Sequence, residues 1–230
     1  MLRWVIFDFD GVITNSEPVH FDALQQVLKG LDIRLDWTTY CRKYLAYDDR
    51  DLFRQVLRDA GREPDPTLMA ELMARKNVRF IRALDQDCSV LPGVRELLGD
   101  LRANGIPAAL CSGARRNEVE FFLRKADLLS HFPVRVTADE VASGKPDPQG
   151  YRQTLAALNA NRLGAPAVRP QECVAIEDSP GGIRAAKAAG LHCLAVTNDY
   201  PAAPLDQADL VVENLTQVNA ALLGRLAASG

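Results

Sequence analysis

The sequence has no CxxC pair, no internal repeat, no low-complexity tract and no apolar run near the roughly 20 residues a membrane span needs. Each absence removes a class of protein. The five cysteines, Cys41, Cys88, Cys111, Cys173 and Cys193, are odd in number and widely spaced, which speaks against a disulfide framework. Cys111 and Cys173 lie in or beside apolar runs and read as reduced core thiols, so a cytoplasmic location is expected. The apolar run Trp4 to Phe9 is short and ends in acids, unlike a signal peptide. Charge is also nearly even: 27 Lys and Arg face 30 Asp and Glu, a net of −3. Nothing in that balance calls for a nucleic-acid or anionic-membrane partner. What is present is an ordinary globular composition, 47% hydrophobic and 25% charged over 230 residues. Such a chain is long enough to fold without disulfides or structural metal, as one large domain or a modest one carrying a smaller one.

Trp4-Val5-Ile6-Phe7 is a short run of β-branched and aromatic residues ending at Asp8-Phe9-Asp10-Gly11, and predicts a strand buried on both faces. Similar runs recur at Ile106–Cys111, Val134–Val136, Cys173–Ile176, Leu191–Val196 and Leu210–Val212. Helical periodicity fills most gaps, at Val94–Arg102, Glu118–Arg124, Gln149–Leu158 and Ile183–Ala189, and one closing helix is expected over Leu215–Leu226. This alternation predicts an α/β fold with a doubly wound, Rossmann-like parallel sheet. From about Ser16 to Leu84 no strand is expected, and Gly61–Pro66 reads as a turn between helices. The expected organisation is therefore a catalytic core of residues 1–14 plus 89–230, with a small α-helical domain of residues 15–88 inserted after the first strand.

The chemistry-bearing residues fall at strand ends. Asp8 and Asp10 follow the first strand, at the sheet edge where ligands of open α/β folds bind. Carboxylates this close repel unless a shared proton or a cation intervenes, and a hard cation such as Mg²⁺ suits an all-oxygen site. Ser112-Gly113 follows the next strand and opens a helix near Arg115; it either holds a phosphate oxygen or caps that helix. Lys145, in Gly144-Lys145-Pro146-Asp147-Pro148, can offset carboxylates and phosphate, or be an exposed loop lysine. Glu177-Asp178-Ser179-Pro180-Gly181-Gly182 offers two further acids, as metal ligands or as an acidic helix start.

In that order Asp8-Phe9-Asp10-Gly11-Val12, Ser112-Gly113, Lys145-Pro146 and Glu177-Asp178-Ser179 resemble the four motifs of the haloacid dehalogenase-like hydrolase superfamily. Asp10-Gly11-Val12-Ile13-Thr14 and the Glu17 to His20 spacing resemble its β-phosphoglucomutase and sugar-phosphatase branch. The resemblance implies that Asp8 attacks phosphorus to form an aspartyl-phosphate, while Asp10 acts as general acid and then general base. It implies Mg²⁺ held by Asp8, the Asp10 carbonyl and Asp178, with Glu177 binding the ion or supporting its ligands. Ser112, Gly113 and Lys145 would hold the non-bridging oxygens. The inserted helices would be a cap whose contacts to substrate are Glu17, His20, Arg50 and Lys76, the last two resembling residues that grip a distal phosphate.

There are departures. Asn15 stands where this branch usually has aspartate, and Leu45-Ala46-Tyr47-Asp48-Asp49-Arg50 lacks the usual glycine, making a bulkier, more negative rim. Arg115-Arg116 either compensates or begins a helix. The resulting expectation is a Mg²⁺-dependent phosphatase of a small phosphorylated metabolite, most simply a sugar phosphate, monomeric or weakly homo-oligomeric. The alternative is a phosphohexomutase of β-phosphoglucomutase type. A phosphate-sensing receiver domain is disfavoured by the helical insertion and the second aspartate, and a catalytically idle metabolite binder by the full set of competent residues.

Overall fold

The computed structural model describes residues 1–44, 47, 49–86, 89–160, 166–197 and 205–228, with backbone alone at 84–86. Chain contacts divide it into two compact units, Met1–Asn15 with Ser89–Gly230, and Ser16–Cys88.

The first unit is built on a parallel six-stranded sheet. In chain order its strands are β1 Trp4–Phe7, β2 Ala108–Cys111, β3 Val134–Val136, β4 Cys173–Glu177, β5 His192–Val196 and β6 Leu210–Val212, and in space they run β3-β2-β1-β4-β5-β6. β1 is central, with Phe7 opposite both Leu110 and Ile176. A strand with neighbours on both sides and helices on both faces must be apolar throughout, which is why Val5, Ile6 and Phe7 have no exposed surface. Alternate residues point to opposite faces. Ile6, Ala109, Ala175 and Cys193 pack with Tyr151, Leu155, Ile183 and Ala186. On the other side Phe7 meets Phe132 edge-on at 5.6 Å, and Phe9 meets Phe122 at 5.3 Å. Cys111, Cys173 and Cys193 are buried free thiols, while Cys88 lies outside the described residues. Burial pushes the Cys111 and Cys173 thiols up to about 12.

Among its described residues the second unit holds the α-helices α1 Glu17–Leu28, α2 Trp37–Lys43, α3 Asp49–Asp59 and α4 Pro66–Gln86. Asp36 caps α2 by accepting the Thr39 N–H at 2.8 Å. Apolar positions at helical spacing, among them Leu24, Leu28, Phe53, Leu57 and Leu72, close its own core. Among the described residues no helix is long and apolar enough to cross a membrane.

The α-helices among the described residues of the first unit are α5 Val94–Ala103, α6 Arg116–Lys125, α7 Gln149–Ala160, α8 Pro180–Ala188 and α9 Ala220–Leu226. α8 begins three residues earlier than apolar periodicity indicates, because Ser179 caps it through the Gly182 N–H at 3.0 Å and Pro180 suits its first position. The single closing helix expected over Leu215–Leu226 is corrected to a 3₁₀ turn, Leu215–Gln217, followed by α9. The break is local chemistry. Asn214 accepts the Thr216 N–H at 3.0 Å, Asn219 accepts the Leu222 N–H at 2.8 Å, and Asp100 takes the Ala220 N–H at 2.6 Å.

Gly93 precedes α5 with φ 85°, and a Cβ there would lie 2.3 Å from the Leu215 carbonyl carbon. Gly105 also has positive φ, 68°, but open space around it. Gly105→Ala should therefore cost only the left-handed penalty, about 1 kcal/mol, and Gly93→Ala about 3 kcal/mol or more, since backbone must also move. Urea unfolding midpoints of the two variants check this; equal losses would remove the steric argument.

Candidate active site

The strand order reverses at β1, whose chain runs first to β2 on one side and later to β4 on the other. Crevices at such a switch point, beyond the carboxyl ends of the strands, are where doubly wound sheets bind ligands. Asp8 is the first residue after β1, and its N–H continues the ladder to the Ile176 carbonyl at 2.9 Å. Glu177 is the last residue of β4 and Asp178 the next. Ser112 follows β2 and likewise extends pairing, donating its N–H to the Val136 carbonyl at 2.9 Å. Lys145 sits in the loop between β3 and α7.

These residues converge. Lys145 Nζ donates to Asp8 Oδ1 at 2.7 Å and to the Cys111 carbonyl at 3.0 Å, and is ion-paired with Glu177 Oε1 at 2.6 Å. Three oxygens thus surround the ammonium, two of them carboxylate. It is no exposed loop lysine. Burial alone would lower its pKa, but the Asp8 and Glu177 charges more than offset this and hold it well above the ordinary lysine range. Carboxylate oxygens of Asp8, Glu177 and Asp178 lie within 4.8 Å of one another.

Burial pushes the Glu177 carboxyl up to about 7, with Lys145 pulling against it and Asp8 adding to it. Asp178 is raised well above the usual carboxylate range by burial and by the Asp8 and Glu177 charges. A set of crowded, oxygen-only donors with too little positive charge is what a hard divalent cation relieves, so Asp8, Glu177 and Asp178 could hold one. The Asp10 carboxylate is not in that group. Asp10 sits in the tight turn after β1, where the Gly11 N–H donates to the Thr14 carbonyl at 2.8 Å.

Two glycines make room for the acids. A Cβ on Gly11 would lie 1.8 Å from Asp178 Oδ2, and one on Gly182 would lie 1.8 Å from Glu177 Oε2. Ser112 does not cap α6. Its hydroxyl accepts the Ala114 N–H at 2.9 Å, and the helix begins at Arg116 behind an Arg115 N–H held by Glu118 at 3.3 Å. Gly113 beside it is exposed. Arg116 belongs to that helix start, bonded to Glu140 at 2.7 Å and Glu120 at 3.1 Å.

Glu17, His20 and Lys76 form a second polar cluster, inside the helical unit. Glu17 accepts the Tyr40 hydroxyl, and burial raises its carboxyl pKa. His20 stacks on Phe80 at 3.8 Å, and its Nδ1 lies 3.0 Å from Lys76 Nζ. An ammonium can only donate, so Nδ1 accepts and the ring proton is on Nε2. Burial, with the Lys76 charge adding to it, keeps His20 neutral, well below the ordinary histidine range. Lys76 is 3% exposed and ion-paired with Asp49. The expected negative rim is thus corrected at Asp49, whose charge Lys76 matches; Leu45, Ala46 and Asp48 lie outside the described residues. Arg50 and Tyr47 are exposed.

Reading the sequence alone missed Tyr151 and Tyr40, and placed Asp49 on a rim rather than against Lys76. Tyr151 shares the apolar stripe of α7 with Leu155 and Leu158, so periodicity assigns it to the core. The available signal was the phenol itself, since a buried tyrosine hydroxyl needs a partner.

Fold and site together define an α/β protein with an acidic, lysine-bridged centre at the switch point of its sheet. The family profile of haloacid dehalogenase-like hydrolases matches residues 2–190, and the chain belongs to that family. Within it the chain falls in the branch of β-phosphoglucomutase, the sugar phosphatases and CbbY. It is 33% identical to a phosphorylated carbohydrates phosphatase of Thermotoga maritima, over 82% of each chain. It is 31% identical to β-phosphoglucomutase of Bacillus subtilis, over 96% of this chain and 94% of that one. The structure of CbbY from Rhodobacter sphaeroides, a D10N mutant with xylulose-(1,5)bisphosphate, superposes with TM-score 0.86 at 26% identity, covering 96% of this chain and 98% of that one.

A pH dependence follows from Glu177. Its folded pKa of about 7 lies above the ordinary 4.5, so the folded, metal-free protein holds the extra proton. The stability this contributes is complete below the lower value and lost as pH rises through the upper one. The melting temperature of metal-free protein should fall between about pH 5 and pH 8, and Mg²⁺ should raise it more at the higher pH. Thermal unfolding with and without Mg²⁺ at both pH values tests this, and a Mg²⁺ effect independent of pH would contradict it.

Proposed function

We propose that the chain is a Mg²⁺-dependent phosphatase that hydrolyses a small phosphorylated metabolite, a sugar phosphate, through an aspartyl-phosphate on Asp8. The observation that carries this reading is the bridging of Asp8 and Glu177 by Lys145, with Asp178 alongside, at the carboxyl edge of the sheet. Asp8 is only 7% exposed and pinned at one oxygen by Lys145, so it is oriented for attack on phosphorus. Asp10, two residues on and outside the carboxylate group, protonates the leaving oxygen and then takes the proton of the hydrolytic water. Lys145, the Ser112 hydroxyl and the Gly113 backbone hold the phosphate oxygens, and Lys145 offsets their charge. Asp8, Asp178, the Asp10 carbonyl and, directly or through its neighbours, Glu177 would hold Mg²⁺. When bound, Mg²⁺ supplies charge neutralisation at the phosphate.

Specificity is assigned to the helical unit acting as a cap, with Glu17, His20, Arg50 and Lys76 as its candidate contacts. A phosphohexomutase must hold a second phosphate while it turns its intermediate round. Lys76 is buried and already committed to Asp49 and His20, which favours monophosphate hydrolysis. The names of the relatives support both activities, so the β-phosphoglucomutase reading stands as the alternative.

Phosphorus NMR with β-glucose 1-phosphate, Mg²⁺ and a bisphosphate activator should show inorganic phosphate accumulating. Dominant isomerisation would establish the mutase instead. Asp8→Asn should lower kcat on p-nitrophenyl phosphate by about a thousandfold or more. Activity near that of the unmutated enzyme would remove Asp8 as nucleophile. Screening phosphorylated sugars and nucleotides by kcat/KM then identifies the substrate.

A further inference from the structure

Tyr151 heads the fully buried side chains of the described residues by volume, and the mechanism above leaves it without a role. It lies six residues after Lys145, in the first turn of α7. Its hydroxyl donates to Glu177 Oε1 at 2.5 Å, and its ring centroid lies 5.4 Å from Lys145 Nζ. One side chain therefore touches both the buried acid and the ammonium that bridges it to Asp8. Packing alone would be served by phenylalanine; the hydroxyl adds a donor to a carboxylate with no exposed surface. Burial and the Glu177 charge push the phenol well above its ordinary range, so it stays a donor. Glu177 is closed in on its other oxygen too, by the Ser179 hydroxyl at 3.5 Å and by Gly182, where no Cβ fits.

We propose that Tyr151 is a positioning residue of this site: its hydroxyl fixes Glu177, and Glu177 keeps the Lys145 ammonium shared between two carboxylates rather than collapsed onto Asp8. The proposal rests on the phosphatase reading in its kinetic part only. An ammonium paired with Asp8 alone would bind that carboxylate more tightly and blunt it as a nucleophile. A loosened Glu177 would also leave the acidic cluster less ready for a cation.

Tyr151→Phe keeps the ring and the core volume and tests the hydroxyl by itself. On p-nitrophenyl phosphate, kcat should fall about tenfold with KM within about twofold. Titration calorimetry of Mg²⁺ without substrate should show binding weakened by about threefold to tenfold. In a Glu177→Gln background the same substitution should change Mg²⁺ binding little, because the hydroxyl acts through Glu177. Unchanged kcat and Mg²⁺ affinity in Tyr151→Phe would overturn the proposal. So would the same loss of Mg²⁺ affinity in both backgrounds, which would mark a packing effect. If the unmutated protein releases no phosphate, the phosphatase reading fails, and the Mg²⁺ titrations still decide whether Tyr151 acts on Glu177.

Discussion

The site depends on one ammonium held between two carboxylates. Asp8, Glu177 and Asp178 are brought within a few ångströms at the end of a dry sheet, where a pair of like charges costs about 4 kcal/mol at effective dielectric constants near 20. Lys145 offsets part of that, and its own burial is tolerable because two carboxylates and a carbonyl surround its charge. One lysine against three acids leaves a deficit of positive charge. That deficit lets the centre hold a cation and adds to the burial that raises the Glu177 and Asp178 pKa values.

Backbone geometry follows from the same crowding. Gly11, at φ 73°, leaves space where Asp178 places its carboxylate, and Gly182 leaves space against Glu177. Asp-Gly after β1 and the second glycine of Pro-Gly-Gly after β4 are thus two sides of one arrangement: at Gly11 and at Gly182 a carboxylate occupies the volume of the missing side chain, whereas Gly181 has open space around it. Ser179 caps α8 through Gly182 and meets Glu177, so the start of that helix and the setting of the acid are fixed together.

The helical unit solves a related problem by other means. Lys76 is buried there against Asp49 and His20, and Glu17 against Tyr40, so these polar groups of a small helical core are matched to one another. A histidine that accepts from a lysine cannot carry a proton on that nitrogen. His20 is thereby a neutral, stacked ring rather than a cation.

Much of this was legible in the residues alone. Six short apolar runs marked the six strands, because a strand buried on both faces has no room for polar residues. The runs were read too long at Ile106 and at Leu191, where periodicity carries no boundary information. The tail was read as one helix because the side-chain bonds of Asn214 and Asn219 to backbone leave no mark in an apolar pattern. Asp8, Lys145, Glu177 and Asp178 were marked by their places after successive strands, since parallel topology carries every such position to one edge. Tertiary structure alone decided which charges meet. The Tyr151 hydroxyl reaches Glu177 across 26 positions of chain and Asp49 reaches Lys76 across 27, distances over which only packing, and no local spacing, dictates a contact.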